Sequence, residues 1–165
     1  MTTYLLCVLI LLAALGCGTV GGIFFAFSNF VMRALARLPP PQGIAAMQAI
    51  NVTVLNPLFL GVFVGTALLS AGLAGYGMFR WVQPGSGWLI AGGLLYVVGN
   101  LIVTRARNIP RNDALARLDP ASAGAADAWR EYQRHWNAWN HVRTATASAA
   151  AAAFIVALWR WSAAV

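Results

Sequence analysis

The chain has 165 residues, of which 60% are hydrophobic and 9% are charged, whereas a typical soluble domain is about a quarter charged. The formal net charge is +7, and every basic residue is an arginine. These arginines flank long apolar stretches and form no dense basic patch, which argues against a nucleic-acid-binding protein. Length and composition together indicate a single lipid-facing domain over residues 1–165.

Four charge-free segments follow one another along the chain. A helix that crosses a bilayer needs about 20 mostly apolar residues. The segments therefore predict four membrane-spanning helices, over residues 4–32, 46–79, 86–106 and 139–160. The fourth is long enough only if Arg143 lies about one turn inside the span, which a long side chain that reaches the interface permits.

The second charge-free segment is too long for one straight crossing. Its first residues are polar on one side, and Asn56 precedes Pro57. Proline lacks the N–H that a helix interior uses for its hydrogen bonds. We therefore expect a turn or kink near Pro57.

A polar segment over about residues 107–138 separates the third span from the fourth. Asn108-Ile109-Pro110-Arg111-Asn112 is predicted to be a turn, because the residue before a proline avoids helical backbone angles. Further on, Trp129, Tyr132 and Trp136 recur at spacings of three and four, which predicts an amphipathic helix at the membrane interface. The expected fold is all-α: a four-helix transmembrane bundle with an amphipathic interfacial helix before the last span.

The arginines also predict an orientation. Loop one holds two of them and loop three holds six, whereas the opposite side holds Arg80 and Arg160. Since cytoplasmic loops are enriched in basic residues, we expect loops one and three in the cytoplasm and both termini outside it. The arginine-only, alanine-rich composition is typical of a GC-rich bacterial genome, so the expected location is a bacterial inner membrane.

Small residues recur at spacings that let membrane helices approach closely. These are Gly18 with Gly22, Gly61 with Gly65, and Gly92 with Gly99 two turns later. We expect them to pack helices together. The flat surface of such glycine-rich helices also predicts a homodimer.

The junction between the amphipathic segment and the fourth span concentrates polar residues. On a helix, Trp129, Trp136, Asn140 and Arg143 fall near one face. A buried amide and a buried guanidinium need partners. Other amides predicted at the same depth can supply them: Asn29, Gln48, Asn51 and Asn108. We therefore expect a binding or active site at the cytoplasmic end of the bundle. The alternative is an ordinary amphipathic junction with interfacial tryptophans.

Several short motifs in this chain resemble one membrane family. They are Phe27-Ser28-x-x-Val31-Met32, Met47-Gln48-x-Ile50-Asn51, Asn56-Pro57, Asn108-Ile109-Pro110-x-Asn112 and Trp136-x-x-Trp139-Asn140-His141-x-Arg143-Thr144. The pattern resembles the anthrone oxygenase-like family of four-helix integral membrane proteins. The resemblance implies oxidation of an anthrone methylene to an anthraquinone with dioxygen, without a tightly bound cofactor.

Such a reaction needs a base that removes a proton from the acidic methylene. His141, or His135 oriented by Glu131 one turn earlier, is the candidate base. We favour His141, because we expect it to lie deeper in the membrane, next to Asn140. Both burial and the nearby Arg143 would keep its imidazole neutral.

The same reaction needs a partner for the carbonyl oxygen, which takes up negative charge, and an apolar slot for the rings. The candidate oxygen partners are Arg143, Asn140 and Asn51. The candidate slot residues are Phe27, Trp136 and Trp139. Two further amides are predicted to contact substrate: Gln48 and Asn108.

No metal or other cofactor is expected. His135 and His141 are six residues apart, roughly 240° around a helix, so they point to different sides and cannot clamp one haem. The alternative is a haem held by a single histidine, or a labile metal completed by Glu131.

The expected ligands are an apolar aromatic molecule and dioxygen, within a lipid bilayer and without nucleic acid. Two other functions compete with an oxygenase or oxidase. One is a small-molecule carrier, favoured by the interrupted second helix. The other is an accessory or scaffold subunit that docks a partner through the polar junction.

Overall fold

The structure is a computed structural model that describes residues 3–162, so the ends of the predicted domain 1–165 lie outside the described residues. Within this range the chain forms five helices. α1 comprises Thr3–Ala26, a π-helical segment Phe27–Val31, and Met32–Leu35; α2 is Pro40–Thr53 and α3 is Pro57–Phe79. α4 comprises Ser86–Tyr96, π-helical Val97–Ile102 and Thr104–Asn108, and Ile109–Ala116; α5 is Ala125–Ser162.

Four of these helices are long and apolar enough to cross a membrane: Tyr4–Leu35, Pro57–Phe79, Ser86–Ala116 and Ala125–Ser162. They leave large apolar side chains exposed, among them Leu12, Leu68 and Ile155. A soluble monomer rarely exposes extended apolar patches, whereas a lipid-facing bundle requires them. The predicted all-α fold with four candidate membrane spans is confirmed.

The long second segment, predicted over 46–79, is divided into two helices. α2 ends at Thr53 and α3 begins at Pro57, where Asn56 Oδ1 accepts a hydrogen bond from Phe59 N at 3.0 Å. An asparagine cap followed by proline at the first helical position is a strong helix start. The expected break is therefore present, and α3 alone is the candidate span; α2 packs against α4 and α5 instead.

The turn predicted over Asn108–Asn112 is wrong, because α4 continues through Pro110 to Ala116. The π-helical segment before it bonds Ile109 N to Thr104 O. The backbone hydrogen bonds of the helix therefore continue up to Ile109, the residue before Pro110. The proline follows near the start of the next α-helical segment, where its missing N–H is tolerated. The third helix therefore extends well beyond its predicted end at residue 106.

The amphipathic segment after Asp119-Pro120 is helical, as predicted, and it is collinear with the fourth span. α5 runs for 38 residues without a break. At 1.5 Å per residue this is roughly 57 Å, which exceeds a hydrocarbon core of about 30 Å. α5 is therefore longer than one crossing requires, and the aromatic side chains of its first turns pack on α2 and on the ends of α1 and α4.

Sequential spans run antiparallel and share one core. α3 and α4 are joined by a hydrogen bond from the Tyr96 hydroxyl to Phe63 O at 3.2 Å. α1 and α5 are joined by a hydrogen bond from the Asn140 side chain to Phe24 O. A first core of apolar residues fills the spans, and a second one joins α2 to the ends of α1, α4 and α5. The candidate site lies where these two cores meet.

The glycine predictions divide into two groups. A Cβ on Gly92 would lie 3.0 Å from Phe154, and one on Gly99 would collide with Thr146, so both glycines do allow α4 to approach α5. The prediction for the other two pairs is wrong within this chain. Gly18, Gly22, Gly61 and Gly65 are exposed, and a Cβ on any of them meets no atom within 4 Å.

Candidate active site

A cavity of about 510 Å³ lies between all five helices, at the end of the bundle that holds the α1–α2, α2–α3 and α4–α5 connections. Its volume is within the range of small-molecule pockets, about 300–1,000 Å³. Most of the wall is apolar, with Phe24, Phe27, Phe59, Phe63 and Trp136 as its aromatic residues. The polar side chains of the wall are Gln48, Asn51, Thr104, Arg105, Asn108, Asn112, Asp113 and Arg143.

Arg143 is the buried cation of this cavity, with 4% of its surface exposed. Its Nη2 donates to Asn140 Oδ1 at 2.7 Å and its Nη1 donates to Thr104 Oγ1 at 3.2 Å. The guanidinium carbon lies 4.0 Å from the centre of the Phe24 ring and 5.2 Å from that of Trp136. The cation is thus held by neutral acceptors and by aromatic faces.

No carboxylate neutralises Arg143. In the part of the chain that the structure describes, the single salt bridge joins Arg130 to Asp127 on the exposed surface. The Nε of Arg143 has no hydrogen-bond partner. Burying an ion without a counter-charge costs several kcal/mol, on the order of what a bound anion can offset. The cavity is therefore electrostatically complementary to a ligand oxygen that carries negative charge.

Asn140 fixes the position of Arg143. Its side chain is fully buried, and its Nδ2 donates to Phe24 O and to Ser28 Oγ, both at 2.8 Å. Its Oδ1 accepts from Arg143. Asn140 does not line the cavity, and it connects α1 to the guanidinium.

Two further polar atoms in the cavity wall lack partners. They are Asn51 Nδ2 on α2 and Asn108 Oδ1 on α4, and Asn108 is only 1% exposed. Buried polar atoms are normally hydrogen-bonded. Together with Arg143 Nε, they are unpaired polar atoms on three helices, and all three residues line the same cavity. A ligand with polar oxygens is the complement of this arrangement.

Asn112 organises the aromatic wall and was missed from the sequence. Its Oδ1 accepts from Trp136 Nε1 at 2.9 Å and from the Tyr132 hydroxyl at 3.0 Å. The Trp136 ring thereby faces Phe27, at 5.8 Å between centroids. The predicted turn at Pro110 hid this role. On an unbroken helix, residues 104, 108 and 112 form an i,i+4 stripe of polar side chains.

Gln48 lines the cavity but its amide nitrogen is already used. Nε2 donates to Leu115 O at 2.8 Å and to Leu118 O at 3.0 Å. These carbonyls lie at and just beyond the C-terminal end of α4, where the helix supplies few N–H donors to its last carbonyl groups. Gln48 therefore ties α2 to the end of α4.

The predicted histidines do not line this cavity. His141 is exposed, so the expectation that it is buried is wrong. It follows Asn140 directly, and adjacent residues on a helix point about 100° apart. His135 and Glu131 line a separate groove beside Tyr132. There the His135 ring contacts Arg134 at 3.2 Å, and among the described residues no hydrogen bond joins it to Glu131.

Trp139 and Asn29 also lie away from the cavity. Trp139 packs under the guanidinium of Arg107, 4.7 Å from the ring centre, and Asn29 is exposed. Neither residue lines the wall. Over residues 3–162, no group of three or more His, Cys, Asp or Glu side chains is arranged to hold a metal ion.

Three π-helical segments occur within residues 3–162, and all of them border the cavity. They contribute five residues to its wall: Phe27, Leu101, Thr104, Arg105 and Asn108. Such segments are rare and are frequent at functional sites, because they change the face on which following side chains lie. Nothing in the sequence indicated them.

The fold and the site define a class: a bundle of four candidate membrane helices that encloses a largely apolar cavity of small-molecule size with one buried arginine. Residues 52–153 match the family described as anthrone oxygenase. Because this match covers more than half of the chain, the protein belongs to that family, as the motifs predicted. The matched segment includes Asn108, Trp136, Asn140 and Arg143. No curated protein and no solved structure gives a match to the chain.

Proposed function

We propose that this protein is a membrane oxygenase that oxidises the acidic methylene of an apolar, anthrone-like aromatic molecule with dioxygen. The observation that carries the proposal is the buried Arg143, which has no carboxylate partner and faces an apolar cavity of about 510 Å³. Membership of the anthrone oxygenase family supports the reaction class.

The reaction balances without a further reductant. The methylene loses both hydrogens and gains one oxygen atom to become a carbonyl, and the second oxygen atom leaves as water with those hydrogens. Removal of one proton first gives a carbanion that is delocalised onto the existing carbonyl oxygen. This electron-rich anion reduces dioxygen, a C–O bond forms, and loss of water from the resulting hydroperoxide gives the quinone. We therefore propose a reaction without a resident metal or organic cofactor.

Arg143 supplies the main stabilisation in this scheme. The charge that develops on the carbonyl oxygen lies against the guanidinium, in a cavity where low polarity strengthens the attraction. Asn51 Nδ2 is a second donor for that oxygen, and Asn108 Oδ1 accepts from a hydroxyl of the substrate. The aromatic rings of the substrate lie along Phe59 and Phe63, and the contacting pair Phe27 and Trp136 forms another part of the same aromatic wall.

The proposed base is Asp113. It is the one carboxylate among the described residues that line the cavity, and no histidine lines it. Asp113 is exposed, so it can pass the proton to water. Its position on α4, one residue after Asn112, puts it at the exposed edge of the cavity.

The test uses the purified protein in lipid nanodiscs with anthrone under air. Oxygen uptake and anthraquinone absorbance are followed together, with protein-free nanodiscs as the control for spontaneous oxidation. We expect one dioxygen consumed per quinone formed, no accumulation of hydrogen peroxide, and no effect of a chelator. If anthrone oxidation is no faster than in empty nanodiscs, the oxygenase proposal is wrong and a carrier or scaffold function is favoured instead.

The base is tested with three matched variants. Loss of a general base typically slows turnover about 10²–10⁴-fold, so Asp113→Asn should show a loss of this size. His141→Gln and His135→Gln should keep near-normal turnover. If His141→Gln loses activity while Asp113→Asn keeps it, Asp113 is not the base and His141 takes that role.

A further inference from the structure

The cavity has a mouth between α3 and α4, and its two sides differ in chemistry. On one side are Val52, Leu55, Leu60 and Val64, which are 74%, 65%, 38% and 41% exposed while lining the cavity. On the α4 side, Arg105, Ile109 and Asp113 follow at i,i+4 spacing, all of them exposed. An apolar side thus faces a side that carries one cation and one carboxylate.

The position of the mouth along the spans indicates what it faces. α3 begins as a candidate span at Pro57, and Val64 lies seven residues on, roughly 10 Å along the helix. Exposed apolar side chains in this part of a span contact lipid. Arg105 and Asp113 lie eight residues apart on α4, roughly 12 Å along the helix, and both are exposed. Charged side chains of this kind fit the headgroup layer, where a long arginine side chain reaches water. The mouth therefore opens at the boundary between acyl chains and headgroups.

The opening is built into the fold at the break between α2 and α3. Asn56 closes the linker on itself, since its Nδ2 donates to Thr53 O at 3.0 Å and its Oδ1 accepts from Phe59 N at 3.0 Å. Phe59 stacks on Phe63 at 5.8 Å between centroids, which holds the first turns of α3 in place. These contacts order the linker and the first turn of α3 beside the mouth.

We propose that the cavity takes up its ligand laterally, through this mouth, from the bilayer interface. The ligand class is an amphiphilic polycyclic aromatic with one acidic oxygen. Such a molecule rests at the interface with its rings among acyl chains. In the cavity its rings lie along Phe59 and Phe63, and its oxygen reaches Arg143. This inference rests on the proposed function, because it assigns the same cavity as the site.

The experiment measures association and equilibrium binding separately. The probe is 9-anthracenecarboxylate, a fluorescent tricyclic acid, added to the protein in nanodiscs, and binding is followed by energy transfer from tryptophan. Leu60→Trp and Ile109→Trp place bulk at the mouth. The matched control is Leu68→Trp, which changes an exposed leucine on the same helix that does not line the cavity.

A narrowed mouth raises the barrier to entry and exit alike. We therefore expect both mouth variants to bind with an unchanged Kd and an association rate lower by about ten-fold, because passage and not docking is slowed. Leu68→Trp should match the wild type, and Leu60→Ala should associate faster. Because Leu60→Ala needs no extra space, it keeps the test valid if a tryptophan variant unfolds.

The outcomes separate the mouth from the site. If Arg143→Gln weakens binding while all four leucine and isoleucine variants associate at the wild-type rate, the ligand enters elsewhere and the lateral route is wrong. If the wild type shows no saturable binding, or Arg143→Gln binds as well as the wild type, the anion site of the proposed function fails, and the inference fails with it.

Discussion

Replacing Arg143 by methionine separates the functional role of this residue from a structural one. Methionine keeps an unbranched apolar chain of similar length in the bundle and removes the charge. The loss comprises two hydrogen bonds from a charged donor, worth about 1.5–3 kcal/mol each, and cation–π contacts worth about 0.5–2 kcal/mol. The gain is relief from burying an unpaired ion, which costs several kcal/mol, on the order of the same amount.

These opposing contributions nearly cancel, so the thermal stability of Arg143→Met should stay close to that of the wild type. For a domain of this size, about 1 kcal/mol corresponds to a change of 2–4 °C in Tm. Turnover should fall much further. Loss of a group that stabilises a developing oxyanion typically lowers kcat about 10²–10³-fold.

The assay is anthrone oxidation in nanodiscs, followed by absorbance, with melting followed by circular dichroism on the same preparation. Arg160→Met is the matched control, because Arg160 is exposed at the opposite end of α5 beside Trp159. A drop in Tm of tens of degrees for Arg143→Met would make Arg143 a structural clamp. Unchanged turnover in Arg143→Met would show that Arg143 takes no part in the mechanism. If Arg160→Met lowered turnover as much as Arg143→Met, the polar junction would be an ordinary interfacial segment.

Three further outcomes are expected. Asn140→Ala should lower both turnover and Tm, because it leaves buried polar groups unpaired at a cost of about 1–3 kcal/mol each. Arg143→Met should lower turnover alone, so an Asn140→Ala variant that is stable but inactive would contradict this difference. Gly99→Ala should lower Tm because its Cβ meets Thr146, and Gly61→Ala, with open space around it, should not; the reverse order would mean that α4 and α5 are further apart. A reporter that is active only in the cytoplasm should be inactive when fused to the C-terminus, and activity there would invert the predicted orientation.

The helical fold could be predicted because the bilayer imposes a length on charge-free segments. Four such segments exist, and each overlaps one of the candidate membrane helices of the structure, although the bounds of the helices differ. The same segment lengths also predicted that Arg143 and its neighbour Asn140 lie inside the fourth span. So did the break at Asn56-Pro57, since its cap and proline act through the local backbone alone.

The path of the chain around Pro110 could not be predicted from local preferences. A residue before proline disfavours helix, yet the π-helical turn ending at Asn108 carries α4 through this position. Packing of Tyr132 and Trp136 on Asn112 stabilises that extension. Tertiary contacts thus outweighed the local signal, and they created the polar stripe of the cavity wall.

The sequence by itself determined the number of spans, their apolar character and the end of the bundle at which polar residues gather. Only the tertiary structure decided which of those residues share a cavity. Residues 136, 140 and 143 of α5 turn toward α1 and α4, and His141, one residue from Asn140, turns outward by about 100°. A span can rotate about its axis without changing its hydropathy. The direction in which each side chain points is therefore set by packing between helices, and the sequence of one span alone does not determine it.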